Sequence, residues 1–450
     1  MDSINKILEQ FWEANFQALS RPPTVWLAYS GGLDSHVLVH SLAGVRHVSD
    51  TCLTPSVKVV HINHNISPNS DMWEQHCRKV CENLNLPFYA LSISLDLKSG
   101  ESLEEQARNL RYAKLSSLME DGDFLLTAHH QNDQAETFLL QLLRGAGVKG
   151  LSAMPECKKF GNGFQARPFL NCTREMLHEY AKHHELQWID DESNLKTEFT
   201  RNYIRQELSP ILKQRWPDFA ANIARSASHC AEANELLEKI AAEDCVEATG
   251  QFPNTLSISK LNTLSGARQK NALRYFIVNN NVILPSTAKL QQMQLCILQS
   301  RSDKSPIVSW GDFELRRFKD DIFLLQTKDA VIPRSEVTIN LQESTHDIPG
   351  FGQIQIVKTQ GEGLNNKLKR LSLRFRKGGE TLRLPNRKHH SDLKKLLQQW
   401  NVPPWQRDRI PLLFLEKQLI AVVGYATAHG FGCDDQNAMG YSIKFVNATC

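Results

Sequence analysis

Ser30-Gly31-Gly32-Leu33-Asp34-Ser35 lies between an apolar run, Val25 to Tyr29, and an apolar-periodic stretch. Glycines at such a corner let backbone amides converge on phosphate oxygens. A helix starting there adds the partial positive charge of its N-terminus. Ser30 and Ser35 can donate hydroxyl hydrogen bonds. Asp34 is an odd neighbour for an anion unless it holds magnesium or orients the loop. The hexapeptide lacks the Gly-Lys-Ser/Thr ending of a Walker A loop, and a plain capped turn would use the same residue types.

A second polar cluster runs Thr127-Ala128-His129-His130-Gln131-Asn132-Asp133-Gln134-Ala135-Glu136-Thr137 and continues to Arg144-Gly145. Neutral imidazoles can bind a nucleotide, and Asp133 can hold magnesium or accept a proton. Arg144 lies two turns beyond Glu136, on roughly the same side of a helix. His61 closes another apolar run. Glu104, Arg108 and Arg111 fall at i, i+4, i+7 and share one helix face, as an ion-pair ladder or as a substrate contact. The acids and amides of Asp190-Asp191-Glu192-Ser193-Asn194 are able to bind a cation such as a lysine ammonium. Arg201 and Arg205 share a face and could hold phosphate. Gly145-Ala146-Gly147-Val148-Lys149-Gly150 has dinucleotide-loop spacing but follows a helical pattern, which makes it a helix end and loop.

These residues need elements to position them. Strand patterns cover Val25–Tyr29, Val57–Ile62, Phe88–Ile93 and Phe124–Ala128, with helical patterns over Ser35–Gly44, Ser70–Leu84 and Glu101–Met119. Such alternation predicts a parallel sheet flanked by helices, with ligands at the carboxyl ends of the strands. The hexapeptide, His61 to Asn65 and His129 to Gln134 all fall at such ends. Pro217 to Val246 is Ala- and Glu-rich with helical period. Two further helices follow near Ser265–Asn279 and Ser286–Leu298, then short strands at Ile307–Trp310, Phe313–Phe318 and Ile322–Leu325. Polar Thr327 to Asp347 reads as a connector. The last hundred residues mix strands (Ile354–Val357, Ser372–Phe375, Leu412–Leu415, Ile420–Val423) with a helix at Asp392–Trp400. Three domains are expected: 1–215, an α/β catalytic domain; 216–335, mainly helical; and 345–450, small, basic and α+β.

The 450 residues carry a net charge of only +3, but Lys367 to Arg409 holds thirteen Lys or Arg against Glu380, Asp392 and Asp408. One-sided charge of this kind is a footprint of nucleic-acid binding. Within it, Arg374, Arg376, Lys394, Lys395 and Arg407 are candidate phosphate contacts, and Trp405 can pack or stack. Ten cysteines show no C-x-x-C, and no apolar run is long enough to span a bilayer. A reduced cytoplasmic protein without a membrane partner is expected.

The hexapeptide resembles the S-G-G-x-D-S pyrophosphate loop of the N-type ATP pyrophosphatases, which cleave ATP between the α and β phosphates. The block from Ala128 to Gly145 is similar to G-H-H-x-D-D-Q-x-E-T…L-x-R-G of the tRNA(Ile)-lysidine synthetase family. Ala107-Arg108 to Tyr112 is similar to its A-R-x-x-R-Y, and Trp188 to Arg205 to its W-x-x-D-x-S-N…R-N-x-x-R. The C-terminal R-F-R…G-G-E, L-K-K-x-x-Q and V-P-P-W-x-R-D also follow the family. Two departures stand out: Ala128 for Gly, and Asn132 for the first Asp, which leaves Asp133 as the candidate carboxylate. The resemblance implies that ATP adenylates O2 of the wobble cytidine in a CAU-anticodon tRNA(Ile). The ε-amine of free L-lysine then attacks C2 and AMP leaves. It further implies ATP and Mg2+ as cofactors, and tRNA and L-lysine as partners; a homodimer is a further expectation. Catalytic roles then fall on Asp34, His130, Asp133, Arg111 and Glu136, with Asp34 and Asp133 on magnesium. ATP contacts fall on Ser30 to Ser35, His61 and His129. Substrate contacts fall on Arg108, Arg144, Asp191, Asn194, Arg201, Arg205, Arg374, Arg376, Lys394, Lys395 and Arg407. The alternatives are a tRNA thiolase of the same superfamily, which wants paired cysteines this chain lacks, and a non-catalytic tRNA-binding protein with a degenerate loop.

Overall fold

A computed structural model describes residues 2–16, 22–45, 55–63, 68–94, 103–190, 192, 200–300, 306–327, 336–349, 351–433 and 438–447. The chain divides into two units, Met1–Lys239 and Ile240–Cys450.

The first unit is built on a six-stranded sheet. Its strands are β1 (Thr24–Ala28), β2 (Ser56–Asn63), β3 (Phe88–Ser92), β4 (Phe124–Leu126), β5 (Cys157–Phe160) and β6 (Gly163–Ala166), in the order β3-β2-β1-β4-β6-β5. All pair in parallel except β5, which forms an antiparallel hairpin with β6. A parallel sheet is buried on both faces, so its strands read as unbroken apolar runs. Val25 and Leu27 of β1 enter the core beneath one layer of helices, and Trp26 enters a second cluster with Leu115 and Met119 on the other face.

Helices fill both layers: α1 (Asp2–Phe16), α2 (Leu33–Val45), α3 (Ser70–Asn83), α4 (Leu103–Ser117), α5 (Gln131–Leu143), α6 (Val148–Leu151) and α7 (Arg174–His183). The N-terminal helix spaces Ile4, Leu8 and Phe11 at i, i+4, i+7 and lays them into the main core. Helix α8 (Thr200–Tyr203) runs through a π-helical turn, Ile204–Leu208, into α9 (Ser209–Arg215). Such turns recur at functional positions, and this one carries Arg205. The 145–150 segment is the expected helix end: Arg144 caps α5, Gly145 takes φ +69°, and Gly147 caps α6.

The second unit begins within the long helix Phe219–Glu247 and continues with helices at Ile258–Leu261, Gly266–Asn279 and Thr287–Met293 and a four-stranded antiparallel sheet that includes Phe313–Phe318 and Asp321–Gln326. Three further antiparallel sheets, of five, four and two strands, and the helix Leu393–Gln399 form the C-terminal part among the described residues. The connector reading of Thr327 to Asp347 needs correction. Val337–Asn340 pairs with Arg370–Arg374, and Thr345–Ile348 pairs with Gly352–Gln360. These edge strands bury only alternate residues such as Ile339 and Ile348, so their polar share hid them. The strand Met439–Asn447, which pairs along the whole of Gly352–Gln360, was also missed.

Candidate active site

The loop after β1 is shaped by its own side chains. Ser35 Oγ accepts from Ser30 N at 3.2 Å, donates to Gly32 O at 3.0 Å and lies 3.0 Å from Ser30 Oγ. Gly31 sits at φ +88°, where a Cβ would meet Ile189 Cδ1 at 3.0 Å and Cys77 Sγ at 3.2 Å. A side chain there is excluded twice, by conformation and by space. Leu33 and Asp34 then open α2.

The end of β4 delivers the second cluster. His130 is the N-cap of α5: its Nδ1 accepts from Asn132 N at 3.2 Å, while Asp133 Oδ2 accepts from His130 N at 3.0 Å. This reciprocal cap leaves Nδ1 unprotonated in the neutral ring, so Nε2 carries the proton. Nε2 lies 3.5 Å from Asp34 Oδ2 and 3.5 Å from Asp133 Oδ2. Burial opposes charge on this ring, but the bond to Asp34 and the charge of Asp133 outweigh it and raise its proton affinity.

Asp133 and Glu136 face Arg201 and Arg205. Arg201 donates from Nε to Glu136 Oε2 at 2.8 Å and from Nη2 to Asp133 Oδ1 at 2.9 Å. Arg205 donates to Glu136 Oε1 at 2.6 Å and to Asp133 Oδ1 at 3.0 Å. Burial alone would push the Asp133 carboxyl up, but His130 and the two guanidinia hold it well below the usual range. Asp133 is therefore a fixed anion and a poor proton acceptor. Gln134 and Thr137 serve the fold. The Gln134 amide both donates to and accepts from the Met154 backbone at 2.8 Å, and Thr137 Oγ1 donates to Asp133 O at 2.7 Å.

Asp34, His130, Asn132, Glu136 and Arg205 line one cleft together with Arg174 and Ser209. The sequence reading missed those last two; Arg174 follows the N-cap Thr173 of α7, and that capping signal was the available clue. In the cleft, Asp34 Oδ1 and Asn132 Oδ1 are buried without a hydrogen-bond partner. Two such oxygens beside a phosphate loop fit a magnesium ion, which takes one or two protein oxygens and completes its shell with phosphate and water. No group of three His, Cys, Asp or Glu forms a metal cage among the described residues. The oxygens of Asp133 already accept from Arg201, Arg205 and the His130 amide.

Other expected residues lie around this centre. His129 donates to or accepts from Thr127 Oγ1 at 2.9 Å, and burial lowers its pKa to about 3, which keeps the ring neutral. His61 is buried, stacked on Phe88, with Nδ1 2.9 Å from Tyr29 O. Arg108 and Arg111 lie over the Tyr112 ring at 5.2 and 5.4 Å. Arg144 is exposed at the C-cap of α5, two turns beyond the buried Glu136. Asp191 and Asn194 lie outside the described residues, as do His64 and Asn65 and the side chain of Glu104.

In the second unit, three of the candidate phosphate contacts are engaged within the fold. Arg374 pairs with Glu336 at 3.0 Å and lies 4.7 Å over Phe414, Arg376 pairs with Asp408 at 2.9 Å, and Arg407 donates to Val402 O at 2.9 Å. Lys394 and Lys395 are exposed on the helix Leu393–Gln399, and Lys395 also lies 3.7 Å from Asp392 in an exposed ion pair. Trp405 packs against the middle sheet, its ring 5.2 Å from Phe323 and 6.1 Å from Phe318, with Arg316 at 5.3 Å. It is a packing residue here.

Comparison with known proteins covers most of the chain. Residues 2–212 match the PP-loop domain model, 256–323 the TilS substrate binding domain, and 371–444 the TilS substrate C-terminal domain. The tRNA(Ile)-lysidine synthase of Coxiella burnetii is 42% identical over 408 residues, 90% of this chain and 89% of that protein. The tRNA(Ile)-lysidine synthase of Legionella pneumophila (strain Paris) is 40% identical over 94% of this chain and 96% of that protein. That of Pectobacterium atrosepticum is 37% identical over 90% and 91%. No described helix is long and apolar enough to cross a membrane.

Proposed function

The chain belongs to the tRNA(Ile)-lysidine synthase family, and from that premise we propose that its cleft adenylates the wobble cytidine of a CAU-anticodon tRNA(Ile) and joins free L-lysine to it. The products are lysidine, AMP and pyrophosphate. The observation that carries this reading is the single cleft in which the Ser30–Ser35 loop meets the His130–Asp133–Glu136 cluster.

Cytidine O2 is a poor leaving group until it carries AMP. The loop amides and the Ser30 and Ser35 hydroxyls would receive the phosphates of ATP, with the N-terminus of α2 behind them. Magnesium, when bound, supplies positive charge to the departing pyrophosphate. Asp34 and Asn132 are the residues that would hold it, which moves the second ligand from Asp133 to its neighbour. An amide oxygen in place of a carboxylate keeps a ligand atom there at lower charge. His130 donates Nε2–H toward Asp34 and keeps that carboxylate aimed at the cleft. Asp133 and Glu136 hold Arg201 and Arg205 in the cleft wall, where the guanidinia add positive charge beside the reacting phosphate. L-Lysine is the nucleophile; its ε-ammonium loses a proton before attack.

The test is the order of release. Pyrophosphate should form from ATP on addition of CAU-anticodon tRNA alone, and AMP only when L-lysine is also present. Pyrophosphate release that needs lysine but no tRNA would point to an amino-acid adenylate and reject the reading.

A further inference from the structure

The phosphate loop is held from outside by a segment to which the reaction described above gives no role. Leu186 to Asp190 follows α7 and has no regular secondary structure. It is nevertheless fixed in place. The Leu186 side chain enters the main core, and its N–H donates to Ala181 O at 2.9 Å. Trp188 packs against the same core and meets the His178 ring of α7 at 6.0 Å. Just beyond the segment, Glu192 accepts from Asn69, the N-cap of α3, at 3.4 Å.

Ile189 sits between these anchors and meets the loop in two ways. Its N–H donates to Gly31 O at 3.0 Å. Its side chain covers Gly31: a Cβ there would lie 3.0 Å from Ile189 Cδ1 and 3.2 Å from Cys77 Sγ. The hydrogen bond has a directional consequence. In a planar trans peptide the C=O and N–H point opposite ways. Holding Gly31 O toward Ile189 therefore turns Gly32 N–H away from Ile189. That amide faces Ser30 Oγ at 3.5 Å, the far edge of hydrogen-bond range. It is thus oriented within the loop and only weakly engaged, as a donor kept for an anion must be. The two glycines alone would not keep it so. Turning this peptide changes only ψ of Gly31 and φ of Gly32, and glycine accepts many settings of both. The restraint comes from Ile189.

We propose that Ile189 is a positioning residue for the reaction: its backbone N–H and its side chain lock the Gly31–Gly32 peptide so that the Gly32 amide is preorganised for the phosphates of ATP. This rests on the reading of the loop as the phosphate site. A donor fixed before binding does not have to be ordered when the ligand arrives. Ile189→Ala keeps the backbone N–H but uncovers Gly31, admits water to the bond on Gly31 O and lets the peptide turn. Ile189→Val keeps a β-branched cover.

The test uses the full chain with magnesium and without tRNA, so that binding is read without turnover. Kd is measured for inorganic pyrophosphate, ATP and adenosine in the wild type, Ile189→Ala and Ile189→Val. Ile189→Ala should raise Kd for pyrophosphate and ATP about tenfold, the scale of one hydrogen bond to an ionised group, and leave Kd for adenosine unchanged. Ile189→Val should stay close to the wild type. A merely structural role would weaken adenosine in step with ATP, and that outcome would overturn the proposal. So would a pyrophosphate Kd that Ile189→Ala leaves unmoved. A wild-type chain that binds neither pyrophosphate nor ATP would instead reject the phosphate role of the loop itself, and the proposal with it.

Discussion

At the scale of single residues, Asp133 is the pivot. It caps α5, anchors Arg201 and Arg205, and neighbours His130. Asp133→Asn keeps the shape but cannot hold two guanidinia as an anion does. Lysidine formation should fall at least a hundredfold, the scale of about 2.7 kcal/mol in the transition state, and the melting temperature should fall as well, because two partly buried guanidinia lose an anion while the amide oxygen can still cap. Wild-type turnover in this variant would remove Asp133 from the mechanism. The density of polar residues at one strand end marked His130, Asp133 and Glu136 as candidates, and the structure gathers them with Arg201 and Arg205. Their pairing was not legible. Pairing with Arg201 and Arg205 comes from 65 to 72 positions away, and local spacing carries no record of it. The structural duty of Gln134 was hidden for the same reason: its partner is the backbone of Met154.

At the scale of elements, the first four parallel strands and the helices between them were readable because burial on both sheet faces writes continuous apolar runs. Ile307–Trp310 and Phe313–Phe318 also fall where their patterns put them. The β5–β6 hairpin was not readable: Cys157-Lys158-Lys159-Phe160 has two lysines in four residues and is largely exposed. Trp405, read as able to pack or stack, packs, and it does so from a short helix that the pattern did not show. Its short helix, Pro404–Arg407, packs on the middle sheet through an aromatic cluster. Trp405→Ala should cost roughly 1–3 kcal/mol, less than a fully buried aromatic, and lower the melting temperature by several degrees. The KM for ATP should stay put, because the loop and cleft lie in the other unit. An unchanged melting temperature would show that the ring contributes no packing.

At the scale of the whole molecule, the charge asymmetry is what a polyanionic substrate needs. Of the five candidates, Arg374, Arg376 and Arg407 are engaged internally and Lys395 lies 3.7 Å from Asp392, but Lys394 and Lys395 are both exposed and can reach phosphates. Replacing both with Ala should raise the KM for tRNA and reduce the salt slope of binding by roughly 0.7–0.9 per lost contact. The KM for lysine should not move. The opposite pattern would place these lysines elsewhere. Composition could reveal that a nucleic acid is bound, but not which cations remain free once the fold has used some of them.

The central claim is that this chain joins lysine to a wobble cytidine. The most direct measurement is incubation with ATP, labelled L-lysine and CAU-anticodon tRNA(Ile), followed by digestion to nucleosides. The account predicts one labelled nucleoside with the mass of lysidine, formed only with ATP and absent when the wobble cytidine is replaced. Absence of label in the nucleosides, with the protein folded and ATP present, would contradict it.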